Sequence, residues 1–529
     1  MKEFLREVLG DKSGLLEVPV IDGYGDLALP CFSFAKELKK SPGAIAAQIK
    51  QEAAERKSEL IERMEVAGGY LNFFLNRSVV ADLMIDEIKN DKCGKVLAGT
   101  QIFLEHTSIN PNASPHIGRA RNAFIGDAIA RLCRFLGASV EVHYFVNDIG
   151  KQISLLVYAL NGKTNVTFNV LAAEYVKANE ELKKNPTIEK IVFEQLEKLE
   201  RGDRAMQARF LSVVDICLNG QSKLFDELGI KYDFFDYESV YVVNNEVDKV
   251  LERLKKTGRL FEDEVGRLVM NLEGYDIGQK MLPLTRADKT SLYPLRDICY
   301  SIEKAEKKCD NNIIVLGEDQ KMYFKQINAV LDILGYPTIQ TVHYSFVLLE
   351  DGKMSTRAGN VVMLEDIMKE ALTLTKTEKH AQELGYGAIK YAILKCSASK
   401  NVLFDWKNVL NTQGDSGIYL QYCYARIASL LKKDSRKIVK PDVKIFTDDV
   451  SWKLLKTVYR FCDELTSAMN NNFAISDLAA YLYSLAQLFS GWYANTKIVG
   501  SDNIWLAAEV GKVIKKGLWI LGINVVDEM

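Results

Sequence analysis

The sequence has little of what several chemistries require. Only five histidines occur in 529 residues, and no two stand at metal-ligand spacing. The nine cysteines, at positions 31, 93, 133, 217, 299, 309, 396, 423 and 462, form no Cys-x-x-Cys pair. A thiolate or imidazole zinc site is therefore not expected, and an odd, scattered set of thiols argues against a disulfide framework. No stretch reaches the ~18 uninterrupted apolar residues that a membrane span needs. The opening Met1-Lys2-Glu3-Phe4-Leu5-Arg6-Glu7 lacks the apolar run of a secretory leader. These absences lead us to expect a reduced, cytoplasmic protein with no membrane partner. Charge of one sign is missing too. Lys+Arg 68 against Asp+Glu 70 leaves a net charge of -2, which excludes a generally basic coat for nucleic acid. A single basic face remains compatible with it, because binding follows where charge sits rather than its sum.

What is present suits a large globular protein. Hydrophobic residues make up 48% and charged residues 26% of the chain, enough to fill real cores, and the length suggests about three to four domains. Residues 1–90 read as a small mixed α/β unit, in which Pro42 opens a helix running to about Arg63. Gly68-Gly69 then turns into the aromatic strand Tyr70-Leu71-Asn72-Phe73-Phe74-Leu75. After a polar, glycine-containing stretch at 92–99, a strand (101–105), a helix (117 to about 136) and a second strand (140–146) form a βαβ unit and hence a parallel sheet. Residues 155–232 are charged and helical, and strand signals return at 313–317 and 341–344. A Rossmann-type domain over 98–370, split by a helical insertion at about 155–232, is the expectation. From about 385 to 529 apolar residues recur at helical spacing with almost no strand signal, as in an all-α bundle.

Two loops carry the chemistry. The first, Ser108-Ile109-Asn110-Pro111-Asn112-Ala113-Ser114-Pro115-His116-Ile117-Gly118-Arg119, follows a strand and opens a helix. A helix N-terminus offers free N–H groups to phosphates, Gly118 permits close approach of a ligand, and His116 can donate to a phosphate oxygen. The second, Lys353-Met354-Ser355-Thr356-Arg357-Ala358-Gly359-Asn360, puts two cations, a hydroxyl and a glycine on one loop, which suits a polyphosphate whose charge grows in a transition state. Either loop alone could be an ordinary turn or a solvated basic loop. Both in this order, each after a strand, are much rarer.

These elements resemble the HIGH and KMSKS signatures of class I aminoacyl-tRNA synthetases. The flanking stretches Phe145-Val146-Asn147-Asp148-Ile149-Gly150-Lys151-Gln152, Tyr293-Pro294-Leu295-Arg296-Asp297-Ile298 and Asn411-Thr412-Gln413-Gly414-Asp415-Ser416-Gly417-Ile418-Tyr419-Leu420-Gln421-Tyr422 narrow the resemblance to the arginyl-tRNA synthetases. It spans essentially the whole chain. The resemblance implies ATP-dependent activation of L-arginine to arginyl-adenylate, then transfer to the 3′ end of tRNA(Arg), with ATP accompanied by Mg²⁺ and no zinc. It also implies that activation waits for bound tRNA. His116, Gly118, Arg119, Lys353, Met354 and Ser355 would handle ATP, with Arg357 in support. Ser108, Asn110, Glu238, Tyr293, Asp297 and Gln320 would form the arginine site, although a slip of register would put Asp236 in place of Glu238. Asp148 matches an acid near that site. Tyr70, Asn72 and Phe73 in the amino-terminal unit, and Gln421, Tyr424, Arg426 and Met529 in the bundle, are the implied tRNA contacts; a monomer is expected. The sequence departs from the signatures at Arg119, where a second histidine is usual, and at Thr356, where a lysine is. The rivals are a synthetase for another amino acid such as cysteine, a silent tRNA-binding paralog, and a free-standing nucleotidylyltransferase.

Overall fold

The computed structural model describes residues 2–19, 21, 23–91, 93–349, 362–376, 379–434 and 436–529. The chain divides into two compact units, one built from Met1–Lys92, Leu430–Phe461 and Gln487–Val510, the other from Cys93–Ser429, Cys462–Ala486 and Gly511–Met529.

In the first unit, β1 (Leu27–Pro30), β2 (Ile61–Ala67) and β3 (Tyr70–Leu75) form an antiparallel sheet in the order β1-β3-β2. The helix expected to run to about Arg63 is Pro42–Glu55, capped by the Ser41 side chain, and the rest of that stretch is β2. The charges of Ile61-Glu62-Arg63-Met64-Glu65-Val66-Ala67 face solvent along an edge strand, a pattern easily taken for the end of an amphipathic helix. Asp26 is the polar joint of the unit. Its buried carboxylate accepts from the Leu75 N–H (2.9 Å), the Trp452 indole N–H (2.7 Å) and the Lys456 ammonium (2.5 Å).

In the second unit β4 (Gln101–Glu105), β5 (Ser139–Val146), β6 (Phe234–Tyr237), β10 (Asn311–Gly317) and β11 (Gln340–Tyr344) make a parallel sheet in the order β11-β10-β4-β5-β6. Runs such as Ile313-Ile314-Val315 are buried, as strands covered on both faces must be. The helix Ile117–Phe135 links β4 to β5 and is buried nearly all round, with Ala120, Ala123, Ala128, Ile129 and Leu132 fully buried and the polar Arg121, Asn122 and Asp127 buried among them. It stops at Leu136, and Gly137 then takes φ 105, where an added Cβ would lie 2.2 Å from the Gly94 carbonyl oxygen. Between β5 and β6 the insertion consists of helices Lys151–Ala159, Phe168–Lys184, Pro186–Glu200 and Arg204–Glu227.

Two features escaped the sequence reading. One is the small antiparallel sheet of β7 (Leu260–Glu262), β8 (Leu268–Asn271) and β9 (Met281–Pro283). The other is β13 (Val402–Phe404), a strand inside the region read as helical, which pairs in parallel with β12 (Val347–Leu349), the end of the strand-like stretch 344–349 that precedes the second loop. Beyond it the chain is helical, through Gly417–Lys433, Asp449–Tyr459, Phe461–Asn470, Ile475–Asn495 and Asn503–Ile520. Among the described residues no helix is long and apolar enough to cross a membrane.

Asp26→Ala strips three donors of their buried acceptor and should cost about 2–4 kcal/mol, read as a lower urea midpoint of the intact chain; an unchanged midpoint would refute the role given to Asp26.

Candidate active site

The sheet reverses its strand order between β4 and β10, and ligands of open α/β sheets bind outside the carboxyl ends at such a point. A cavity of about 430 Å³ lies there. It gathers Ser108, Asn110, Arg119, Glu238, Tyr293, Asp297 and Gln320 from five separate stretches of chain.

The loop leaving β4 turns sharply: Thr107 and Ser108 adopt φ 73 and 42, the left-handed region that a β-branched threonine rarely enters. Asn122 holds this turn. Its Oδ1 accepts from the Thr107 N–H (2.7 Å) and its Nδ2 donates to the Val315 carbonyl on β10 (2.8 Å), so one buried side chain spans the crevice. The Ser108 hydroxyl donates to Glu105 (3.0 Å) and accepts from the Phe145 N–H (3.1 Å). These two bonds fix the hydroxyl where it lines the cavity, with one lone pair left to a ligand. Asn110 Nδ2 donates to Gln152 Oε1 (3.1 Å), which also accepts from Asn112.

Three carboxylates converge on the cavity walls, and their partners differ. Glu105 takes the Lys304 ammonium, itself 4.0 Å from the Tyr300 ring centroid. Glu238 is buried and bonded to Arg296 Nε at 2.5 Å, while Arg296 also donates to the Ser291 carbonyl and hydroxyl. Burial pushes the Glu238 carboxyl up and the Arg296 guanidinium pulls it back. Glu238 lines the cavity, as expected of an arginine-site residue, with its Oε1 already bonded to the protein's own Arg296. Asp236, the alternative by a slip of register, accepts instead from Tyr300 and His143, and is not among the residues lining the cavity.

Asp297 is the odd one. On the helix Tyr293–Glu306 it lies one turn from Tyr293, as the spacing of four required. It accepts from the Tyr323 hydroxyl, and among the described residues it makes no ion pair. Burial raises its pKa to about 6, with Tyr323 opposing and Glu105 adding to the rise. The rings of Tyr293 and Tyr323 lie 4.9 Å apart beside it, Tyr293 still 54% exposed. Of the three carboxylates on these walls, Glu105 is paired with Lys304 and Glu238 with Arg296, and Asp297 is the one with no ion pair among the described residues, while Arg119 and Lys151 also line the cavity. Glu105, Lys304 and Tyr323 were missed by sequence reasoning. Glu105 and Lys304 pair across 199 residues, and no local pattern announces such a contact. Gln320 ends a short 3-10 turn, Glu318–Gln320, after β10.

At the cavity mouth His116 is the N-cap of its helix. Its Nδ1 accepts from the Arg119 N–H (3.3 Å), which leaves the proton on Nε2. Burial, aided by the Arg119 charge, lowers its pKa to about 4. His116 is therefore neutral near pH 7, and the permanent positive charge of this turn sits on the exposed Arg119. His116 and Gly118 lie at this turn and not on the cavity wall. Asp148 is also off the wall, both oxygens taken by the N–H and hydroxyl of Ser239. Lys353, Met354, Ser355 and Arg357 lie outside the described residues, but the chain that follows them returns to the site: the Ile117 N–H donates to the Val362 carbonyl (3.1 Å) and the Leu364 N–H to the Pro115 carbonyl (2.8 Å). Among the described residues no cluster of His, Cys, Asp and Glu has the arrangement of metal ligands.

The candidate tRNA contacts divide by burial. Tyr70 is exposed and stacks edge-on with Phe32 at 5.2 Å. Asn72 and Phe73 are buried in the central strand of their sheet, and Gln421 is fully buried, donating to the carbonyls of Glu383 and Asn524. These three offer no side chain to an RNA, which corrects their assignment. Tyr424 and Arg426 are half-buried, Arg426 donating to the exposed Tyr422 (2.7 Å), and Met529 is exposed.

A parallel sheet with a split α/β domain and a phosphate-ready helix start beside an acidic pocket is the architecture of a class I synthetase, and the comparisons agree. The tRNA synthetases class I (R) catalytic domain model matches residues 83–406, the DALR anticodon binding domain model 420–529, and the Arginyl tRNA synthetase N terminal domain model 2–75. The arginine–tRNA ligase of Methanocaldococcus jannaschii is 34% identical, over 93% of this chain and 92% of its own length. That of Clostridium perfringens is 31% identical over 100% and 98%. The Thermus thermophilus arginyl-tRNA synthetase structure superposes with a TM-score of 0.84 at 25% identity, covering 100% of this chain and 99% of that one. The chain belongs to the arginyl-tRNA synthetase family, ligases that use ATP to join arginine to tRNA(Arg) for translation.

A cationic ligand binds only the ionised form of Asp297. The KM for arginine should therefore rise as pH falls through about 6, approaching tenfold per unit, and Asp297→Asn should raise it about 10²-fold while flattening this acid limb; a pH-independent KM in the unaltered chain would contradict the assignment.

Proposed function

We propose that the cavity at the β4–β10 crevice binds L-arginine with its guanidinium against Asp297 and Tyr293, and its α-amino end toward Asn110 and Gln320. The observation that carries the reading is the unpaired carboxylate of Asp297 among carboxylates that already own cations. A guanidinium is planar, always charged and rich in donors, the partner that Asp297 lacks. Glu238 then acts at one remove, by holding Arg296 and through it the Ser291 end of the loop.

The reaction needs alignment more than covalent help. The arginine carboxylate oxygen attacks the α-phosphorus of MgATP, a new P–O bond forms, and the bond to the β-phosphate oxygen breaks to release pyrophosphate. His116 donates through Nε2–H to a phosphate oxygen, Gly118 gives the nucleotide room, and Arg119 supplies the charge that the usual second histidine would. Lys353, supported by Arg357 and the Ser355 hydroxyl, neutralises the departing pyrophosphate, and Met354 packs with the nucleotide. A ribose hydroxyl of the 3′-terminal adenosine of tRNA(Arg) then attacks the adenylate carbonyl, and AMP leaves. We assign residues 1–90 to contact with the tRNA body through Tyr70, 98–370 to catalysis, and 385–529 to the anticodon through Tyr424, Arg426 and Met529. The enzyme acts as a cytoplasmic monomer.

Pyrophosphate exchange tests the reading: it should need arginine and tRNA together, and Lys353→Ala should slow it about 10²–10³-fold. Exchange supported by another amino acid, or none under any condition while tRNA still binds, would overturn it.

A further inference from the structure

Arg121 has no part in the chemistry above, yet it is among the largest fully buried side chains in the protein. Its guanidinium meets no carboxylate. Nη1 donates to the carbonyls of Ser345 (2.7 Å), Phe346 (3.3 Å) and Lys400 (2.9 Å), and Nη2 to that of Ser397 (2.9 Å). Its Nε has no partner. A buried charge without a counter-ion is a poor way to stabilise a core, since an apolar side chain of similar volume would do as well or better. What a guanidinium does that an apolar side chain cannot is to hold several carbonyls at fixed angles from one rigid fork.

The carbonyls it holds lie immediately before β12 and β13, the parallel pair Val347–Leu349 and Val402–Phe404. Other bonds tie the same two segments together: the Ser345 N–H to the Ala398 carbonyl (2.8 Å), the Val402 N–H to the Phe346 carbonyl (2.9 Å), and the Phe346 N–H to Asn401 Oδ1 (3.1 Å). β12 is the last described element before residues 350–361. Val362–Leu364, the first described residues after them, are bonded to Pro115 and Ile117, either side of His116. Chain on both sides of the Lys353-bearing stretch is thus fastened to the first turns of one helix, on one side through Arg121 and on the other through the backbone of residues 115–117.

We propose that Arg121 is a positioning residue for adenylation, which sets β12, and with it the approach to the Lys353-bearing stretch, against the His116–Arg119 turn. The inference rests on the reading that this stretch handles the phosphates. The start of the helix Ile117–Phe135 is then the common base of the chain leading to both phosphate-handling elements, and the guanidinium contacts proposed at Asp297 and Tyr293 do not involve Arg121.

The test uses the full chain with Arg121→Met, Arg121→Lys, Asn401→Ala and the control Lys353→Ala, each assayed for pyrophosphate exchange, tRNA affinity and thermal melting. Arg121→Met should lower the exchange kcat about 10²-fold with the KM for arginine and the tRNA affinity within about twofold. Arg121→Lys, which can still reach some of the carbonyls, should recover about tenfold of that loss. Asn401→Ala removes an exposed anchor of the same strand without opening the core, and should give the same kcat-only pattern at about fivefold. Unchanged kcat in both Arg121→Met and Asn401→Ala would overturn the proposal, as would losses shared equally by arginine KM, tRNA affinity and melting. Should Arg121→Met fail to fold, Asn401→Ala decides alone. If Lys353→Ala leaves exchange intact, the reading of that stretch fails. If Lys353→Ala abolishes exchange while the Arg121 and Asn401 variants keep it, only the positioning role fails.

Discussion

The bond pair made by Asn122, to the Thr107 N–H on one side and the Val315 carbonyl on the other, is the constraint on which the site depends. Parallel strands splay at their carboxyl ends where the order reverses, and nothing in the ladder itself fixes the width of the gap. Here a single amide sets it. The same amide holds the left-handed Thr107-Ser108 turn, which aims Ser108 at Glu105 and Phe145 and leads the chain on to Asn110. Asn122 and its neighbour Arg121 are both polar and both buried on a helix otherwise packed with alanine and isoleucine. Two adjacent residues thus carry the register of the crevice in two directions, across the sheet and toward β12.

The electrostatics of the pocket follow from that framework. Burying Glu105 and Glu238 would be expensive without Lys304 and Arg296, and each pair makes its partner's burial tolerable. Asp297 is left with a phenol in place of a cation. Its raised pKa expresses that deficit, which a guanidinium corrects and a neutral side chain does not. The mouth is organised differently. A neutral His116, fixed as a donor through Nε2 by the Arg119 backbone, stands beside a guanidinium that cannot titrate. The departure from the usual second histidine therefore keeps a donor and a charge at the turn.

Much of this was legible in the sequence, and the exceptions have physical causes. Strands β4, β5, β10 and β11 could be read because each carries a run of β-branched, aromatic or other apolar residues that the sheet buries, and the spacing of Tyr293 and Asp297 gave their shared helical face. Glu238 was identified as a site residue, but its capture by Arg296, 58 residues away, has no local signature. The same holds for Glu105 and Lys304. Phe73 and Gln421 show the limit from the other side. An aromatic in a strand or an amide on a helix looks available until the packing is known, and the central position of β3 and the carbonyls of Glu383 and Asn524 consume them. β7, β8, β9 and β13 are three or four residues each, too short for a period to show.

The most direct test of the account is a comparison of L-arginine with L-citrulline, which replaces the guanidinium with a neutral urea of nearly the same shape, by equilibrium binding to the tRNA-loaded protein at pH 7.5. If Asp297 is a carboxylate awaiting a cation, arginine should bind more tightly by about 10³-fold or more, because citrulline leaves that charge unpaired. Binding of citrulline within about tenfold of arginine would mean that shape alone selects the substrate, and the central claim would fail.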